Sequence, residues 1–466
     1  MRTASGARGP EAATKAAACV VVLAACLVAG EACSGAKTSG FGGGGQADGG
    51  GQGTGSGGGG GTLLGGGDAG TGTLGGGGQA DGGGFVSSAS CHVTDPNTDM
   101  DKDGWTPAQG DCNDCDPNVN PGAIDVLHTA DGGAPSWGDE DCSGTAGDSA
   151  KPCDQGLALA DVSPADGAKA IELCATATAT DRKYGVISAA YVRANGTPFA
   201  SPGVQVGIEP GFGPNVHVQG GQNMLVLSSG AARVTGQPGA CTSISCQYNA
   251  TATAPTGFPQ DDPTCPPTKV IADDVALEVQ VRVPTNATGY SFSFKFHSFE
   301  FPDWVCDTHG YNDQFIALVT PAPAGAYVPT GSTGGNISFD SNHHPVSVNM
   351  GFFDVCDPST PKRFASHCTS GAGVTCPTIP SPYCPLGVGE LQGTGFEALN
   401  KNGPDGATRW LQTQAPAQPG SIITIRFAIW DAGNGQYDST VLLDNFQWNA
   451  SGGTVTVGTA PVTSPK

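Results

Sequence analysis

Between Tyr184 and Trp448 the chain repeats one pattern: short runs rich in β-branched and aromatic residues, separated by clusters of Gly, Pro, Asn and Asp. The runs are Tyr184–Val192, Asn223–Leu227, Val275–Val283, Tyr290–Phe296, Phe315–Val319, Val346–Met350, Ile422–Trp430 and Thr440–Trp448. Several alternate apolar with polar residues, the two-residue period of a strand with one buried face. Long helical periodicity is absent, and one short helix is expected around 165–174. Such a chain can bury its apolar residues only between sheets. The expected fold class is therefore mainly β, a β-sandwich or jelly roll.

The N-terminal part reads differently. Arg2, Arg8 and Lys15 precede the apolar run Ala16–Ala25. That run is too short for a bilayer, which needs ~20 residues, and fits a signal peptide spanning 1–25. It ends Leu23-Ala24-Ala25-Cys26, which resembles the bacterial lipobox. The resemblance implies cleavage before Cys26, acylation of its thiol and amine, and a lipid bilayer as partner. Leu27, where Asp would retain a lipoprotein in the inner membrane, implies the outer membrane or cell surface. Cys33 is the rival acceptor, but Glu31 breaks the pattern there. Residues 26–89 are nearly all Gly with small polar residues, and GGGGQADGGG occurs at 42–51 and again at 75–84. With nothing to bury, this stretch is expected to be a disordered tether with a reach of roughly 40 Å.

The net charge of −22 excludes a general nucleic-acid binder, because little positive charge is available to neutralise phosphates. The acid is concentrated in residues 91–150, where 12 Asp and Glu140 face only Lys102. Like charges at this density keep a chain unfolded unless cations neutralise them. Asp99-x-Asp101-x-Asp103-Gly104-Trp105 opens like an EF-hand loop, but Gly110 stands where the closing Glu belongs, and no flanking helices are patterned. Asp99, Asp101, Asp103, the Trp105 carbonyl, Asp114 and Asp116, with Asp111, are the expected ligands. This hard-oxygen set favours structural Ca²⁺. The string DMDKDGWTPAQGDCNDCDPNVNPGAID, with GDEDCSGT at 138–145, resembles the metal-binding-motif module of bacterial secreted proteins. That resemblance implies a small calcium-stabilised module over 90–150 without catalysis. Asp125 replaces the module's usual Glu, and Cys115 adds a thiol.

Fourteen cysteines lie between Cys91 and Cys384. In an exported chain an even number reads as disulfides, here seven. Zinc at Cys112-x-x-Cys115 is the competing reading, and the pairing of Cys112, Cys115 and Cys142 stays open.

Three segments carry a second resemblance: SFSFKFHSFEFPDWVCDTHGYNDQFIALV from Ser291, NISFDSNHHPVSVNM from Asn336 and PGSIITIRFAIWDAGNGQYDSTVLLDNFQW from Pro419. Together they resemble the choice-of-anchor L domain of bacterial surface proteins, over about Cys153 to Ala450. The resemblance implies surface display, with adhesion or binding of an extracellular ligand, carbohydrate or matrix. Within this β domain (151–450), Glu300, Asp303, Asn312, Asp313, Asp431, Asp438 and Asp444 are oxygen donors at strand ends, a second candidate metal site. Adjacent His343 and His344 point to opposite faces of a strand and are expected on the surface. Trp304, Trp410, Trp430 and Trp448 are expected in the core. Residues 451–466 are expected to be a disordered tail. No Gly-x-Ser-x-Gly elbow, His-Glu-x-x-His helix or phosphate loop occurs, so an enzyme is not expected. A polysaccharide-acting hydrolase and a purely structural envelope component are the alternatives.

Overall fold

The computed structural model describes residues 91–129, 133–246, 250–260, 265–268, 270–307, 309–340, 343–349, 352–358, 384–397, 405–450 and 452–466. The expected signal peptide 1–25, the acceptors Cys26 and Cys33, and the tether 26–89 lie outside the described residues. So do Cys368 and Cys376.

The described chain begins with the acidic module, which holds one small antiparallel pair, β1 (Leu127–His128) and β2 (Ser136–Trp137). The rest is a two-sheet body. One sheet comprises β3 (Gly185–Val192), β6 (Thr251–Ala252), β7 (Ile271–Arg282), β9 (Gln314–Thr320), β10 (Gly335–Asn336), β11 (Val346–Ser347) and β15 (Ile422–Ala432). Its order is β10-β9-β15-β7-β3, with β11 beside β9 and β6 beside β7. The other comprises β4 (Val206–Glu209), β5 (Met224–Ser228), β8 (Gly289–Ser298), β12 (Phe353–Val355), β13 (Gly406–Thr408), β14 (Leu411–Pro416), β16 (Ser439–Asn449) and β17 (Gly458–Pro461). Here the order is β12-β13-β8-β16-β5-β4, with β14 between β8 and β17. Every named strand pair is antiparallel.

Alternation places the core. Tyr290, Phe292, Phe294 and Phe296 of β8 join Val441 and Leu443 of β16 against Val275, Leu277, Val279 and Val281 of β7 and Ile423, Ile425, Phe427 and Ile429 of β15. Edge-to-face contacts such as Phe292–Phe427, 5.0 Å between ring centres, tie the sheets together. Both outer faces are partly covered too. Met224, Val226 and Leu442 pack under Phe212 and Phe396, while Ala428 and Trp430 pack under Phe258. Cover on both sides explains why β5 reads as a continuous apolar run rather than an alternating one.

Two expectations need correction. The helix is shorter than the 165–174 stretch: Pro164–Lys169, capped by Ser163 accepting from the Asp166 amide. It ends because Glu172 takes a left-handed backbone, φ 66°, as the chain heads for the Cys153–Cys174 bridge. The tail 451–466 is not wholly unstructured. β17 extends the second sheet by pairing with β14, which otherwise would leave an open edge, and Val455 tucks in ahead of it.

Six disulfides are formed among the described residues: Cys91–Cys115, Cys112–Cys142, Cys153–Cys174, Cys241–Cys246, Cys265–Cys306 and Cys356–Cys384. Cys112 and Cys115 thus belong to different bridges, and neither thiol is left for zinc. No helix of the described residues is long and apolar enough to cross a membrane.

The acidic module sits directly on the sandwich, at the turn between β7 and β8. The Asn286 amide pairs with both backbone groups of Ile124, at 3.0 and 2.8 Å, and the Thr285 amide donates to the Gly122 carbonyl at 2.9 Å. Arg182 stacks on the buried Trp105 ring at 3.9 Å and donates to the Gly104 carbonyl and the Gln109 side chain.

Candidate metal centres

In the loop from Asp99 to Asp114 four carboxylates share one arrangement. Asp101, Asp103, Asp111 and Asp114 each use Oδ1 to accept a backbone amide, from Asp103, Trp105, Asn113 and Met100 respectively. This is the Asx-turn habit of aspartate, and it shapes the loop. In all four the second oxygen, Oδ2, is buried and has no hydrogen-bond partner. Asp111 and Asp114 are 6% and 3% exposed. Carboxylate oxygens of Asp101, Asp111 and Asp114 come within 4.8 Å of one another, as do those of Asp99, Asp101 and Asp103. No Lys or Arg among the described residues forms an ion pair with them. Burial, reinforced by the neighbouring carboxylates, pushes Asp101 and Asp111 up to about 6. Buried, unpaired carboxylate oxygens are costly, and a hard divalent cation is the partner this donor set fits.

The other expected ligands of this loop differ. Asp99 is within the group, but both its oxygens accept loop amides, from Lys102 at 2.7 Å and Gly104 at 3.0 Å. Asp116 turns away and accepts from the backbone and side chain of Asn118. Trp105 buries its ring beneath Arg182.

Sequence reading missed a second group in the module. Asp125, Asp141 and Asp148 bring oxygens within 4.8 Å of one another, and burial pushes Asp141 up to about 6. Asp125 accepts from the amides of Asp141 and Ser149, at 3.4 and 3.3 Å. The signal available was Asp125 standing where the module usually has another acid.

The second expected site is split. Glu300, just after β8, accepts through Oε2 from the Asp313 amide at 3.1 Å. Asp313, just before β9, accepts from the Ala432 amide at 2.8 Å and the Ser439 hydroxyl at 2.5 Å. Asp431 of β15 and Asp438, just before β16, feel the charge of this pair without joining it at metal-ligand distance: Asp438 groups instead with Cys241 and Cys246, and its carboxylate accepts from the Cys246 amide at 2.8 Å. Asp303 is buried. Burial raises Glu300, Asp313 and Asp431 well above the carboxylate range, and Asp438 to about 7. Asn312 does not offer its oxygen, which accepts from the Asn349 amide at 3.2 Å.

Asp444 is not part of this group. Six residues of strand from Asp438 carry it roughly 20 Å away. It meets Asp154 and Glu172 instead, around the loop 219–223. Asp444 accepts from the Gln219 amide, and the wholly buried Asp154 from the amides of Gln222 and Asn223, each at 2.5 Å. Burial first, then Asp444 and Asp154, push Glu172 up to about 9. A side chain at Gly220 would run into the Glu172 carboxylate, its Cβ 2.7 Å away.

The histidines and tryptophans sort by place. His344 pairs with Asp340 at 3.3 Å, while the His343 ring lies against Phe339. Trp410 and Trp430 are buried. Trp448 is half-buried against Tyr290 and Phe446. Trp304 is half-buried too, beside Tyr311 and Tyr437, at 5.3 and 5.5 Å between ring centres.

These features define a disulfide-linked β-sandwich with clusters of unpaired carboxylates in its loops. Residues 219–448, just under half of the chain, match the family model of the Choice-of-anchor L domain. The match points to a cell-surface or exported protein. It begins later than the sheets do, since β3 and β4 precede it yet pair with β7 and β5 inside it. No curated protein and no solved structure matches the chain.

Proposed function

We propose that this chain is a lipid-tethered protein of the outer cell surface whose β-sandwich serves adhesion or ligand binding, and whose acidic module is locked by Ca²⁺. The observation that carries the calcium part is the set of four sequestered, unpartnered Oδ2 atoms of Asp101, Asp103, Asp111 and Asp114. Trp105 and Arg182 make the link to function. The ion shapes the loop, and the loop presents Trp105 and Gly104 to Arg182 of the sandwich. On this reading calcium sets how the module seats on the sandwich. The tether itself rests on Leu23-Ala24-Ala25-Cys26, and surface placement on the Choice-of-anchor L match; carbohydrate or matrix is the partner we propose.

Two experiments test the two halves. Metabolic labelling with an acyl probe should mark the wild type and not Cys26→Ser; labelling of neither protein would end the lipid tether. Limited proteolysis of the whole protein should cleave near 99–116 after chelation and stop on Ca²⁺ return. Cleavage indifferent to Ca²⁺ would end the calcium lock.

A further inference from the structure

On β8 the side chains of Phe294 and Phe296 enter the core, so alternation turns Lys295 and His297 to the outer face of the second sheet. Both are nevertheless 0% exposed. A cover of two segments, 211–218 and 388–396, lies over them. Phe212 and Phe396 from the two segments lie against the His297 ring, each at 5.2 Å between ring centres. Val216 and Leu391 of the cover join Met224 and Leu442 of the sheet in the same apolar cluster. Neither ring nitrogen of His297 has a hydrogen-bond partner among the described residues. A neutral imidazole carries one N–H donor and one acceptor, and this slot satisfies neither. A charged imidazolium there would be costlier still.

The cover is tied down by a few polar contacts. Asn215 donates to the Gly389 carbonyl at 2.7 Å and joins the two segments. Gly213 lets them close up, since a Cβ there would lie 2.5 Å from the Gln392 carbonyl oxygen. Glu390, its side chain 32% exposed, reaches Lys295 Nζ at 2.6 Å, and Lys295 also donates to the Thr408 carbonyl at 2.5 Å. The other charged groups of the packed segments are the Arg409–Asp354 pair, at 2.6 Å, the buried Asp405, the exposed His217, and Glu397, which accepts from the Gly395 amide.

We infer that His297 is an acid latch: in mildly acid surroundings its ring takes a proton, the segments 211–218 and 388–396 lift, and the apolar outer face of the second sheet is bared. Proton entry needs the cover to lift, because the ring is walled by Phe212 and Phe396. Once charged, the ring cannot return between two Phe rings beside the Lys295 ammonium. Burial first, then Lys295, holds the covered ring well below the ordinary histidine range. The opened state therefore accepts a proton that the covered state refuses. The stability of the covered state is fully present above about pH 7.5 and is lost as pH falls through about 6.5.

Hydrogen exchange of the whole protein tests the inference, with protection factors compared at about pH 7.5 and about pH 5 at constant Ca²⁺. The amides of Phe212, Leu391 and Thr394 bond within the cover, to the carbonyls of Val216, Val388 and Leu391. In the wild type their protection should fall about thirtyfold, the effect of one proton taken up at an ordinary histidine. His297→Phe fills the slot with an apolar ring and should hold that protection steady; His297→Leu serves if His297→Phe does not fold. Amides of β7 and β15, in the other sheet, should stay protected in every case. Unchanged protection of the wild-type cover at the lower pH would overturn the inference. So would an equal fall in the variant, or a fall in β7 and β15 in step with the cover, which would mean global unfolding.

Discussion

The acidic module and the sandwich solve the problem of staying folded in opposite ways. The module, residues 91–150, carries Trp105 and Ala123 as buried apolar side chains among its described residues and is stitched by Cys91–Cys115 and Cys112–Cys142. Its loops are drawn inward by carboxylates whose mutual repulsion opposes folding. Two such charges 4 Å apart repel by about 4 kcal/mol at an effective dielectric of 20. The sandwich buries four aromatic residues on β8 alone and tolerates unpaired acids at its ends because the core outweighs them. If the module holds calcium as proposed, its shape should depend on the ion, whereas the shape of the sandwich should depend on packing.

That contrast can be broken most severely from the sandwich side. Phe427→Ala removes a ring wholly buried between the sheets and should cost about 3–5 kcal/mol, by the usual penalty for a large core truncation. Urea unfolding with and without Ca²⁺ should show the same cost in both; a cost that vanishes on chelation would mean the core is not independent. In the module, Asp103→Ala should abolish the calcium-linked stabilisation, worth about 2.7 kcal/mol at a hundredfold excess over Kd. Asp116→Ala should leave that gain intact, because its carboxylate serves only Asn118. Equal losses in the two variants would show that the acids act merely as bulk charge.

The Asp154, Glu172 and Asp444 cluster sharpens the comparison through pH. Glu172 and Asp444 are raised from 4.5 and 3.8 to about 9 and about 7, so the folded state binds more protons than the unfolded one in between. The stability they add is fully present below about pH 4 and is lost as pH rises through 7 to 9. Glu172→Gln should flatten the decline between pH 5 and 9 relative to the wild type, read from denaturant midpoints at each pH. A parallel decline in both proteins would clear Glu172 of any part. The smallest effect should come from Asn286→Ala at the junction. Losing its two backbone hydrogen bonds to Ile124 costs about 1–3 kcal/mol in docking, visible as faster hydrogen exchange at 122–126 with the sandwich unchanged.

Strands were the most legible part of the sequence. Each of the eight apolar runs holds strand residues, because alternation reports the buried face directly; the run from Val346 holds the shortest of these strands, the two-residue β11. The segments 206–209, 353–355, 406–416 and 458–461 escaped notice because they are short and pair mainly through backbone. Among the acids, two-residue spacing brought Asp99, Asp101 and Asp103 together because a tight loop makes neighbours in sequence neighbours in space. The same spacing misled at Asp116, where a local turn onto Asn118 won. Asp154, Glu172 and Asp444 were illegible as a group, since only the fold brings positions so far apart in sequence to one loop.

Hydrogen exchange of the whole protein, compared with and without Ca²⁺, reads the module's dependence on the ion amide by amide. The amides of Met100, Asp103, Trp105 and Asn113, which the aspartate oxygens hold, should exchange much faster once Ca²⁺ is withdrawn. Those of β7, β8 and β15 in the packed core should barely change. Protection of the four loop amides that is the same with and without Ca²⁺ would contradict the account.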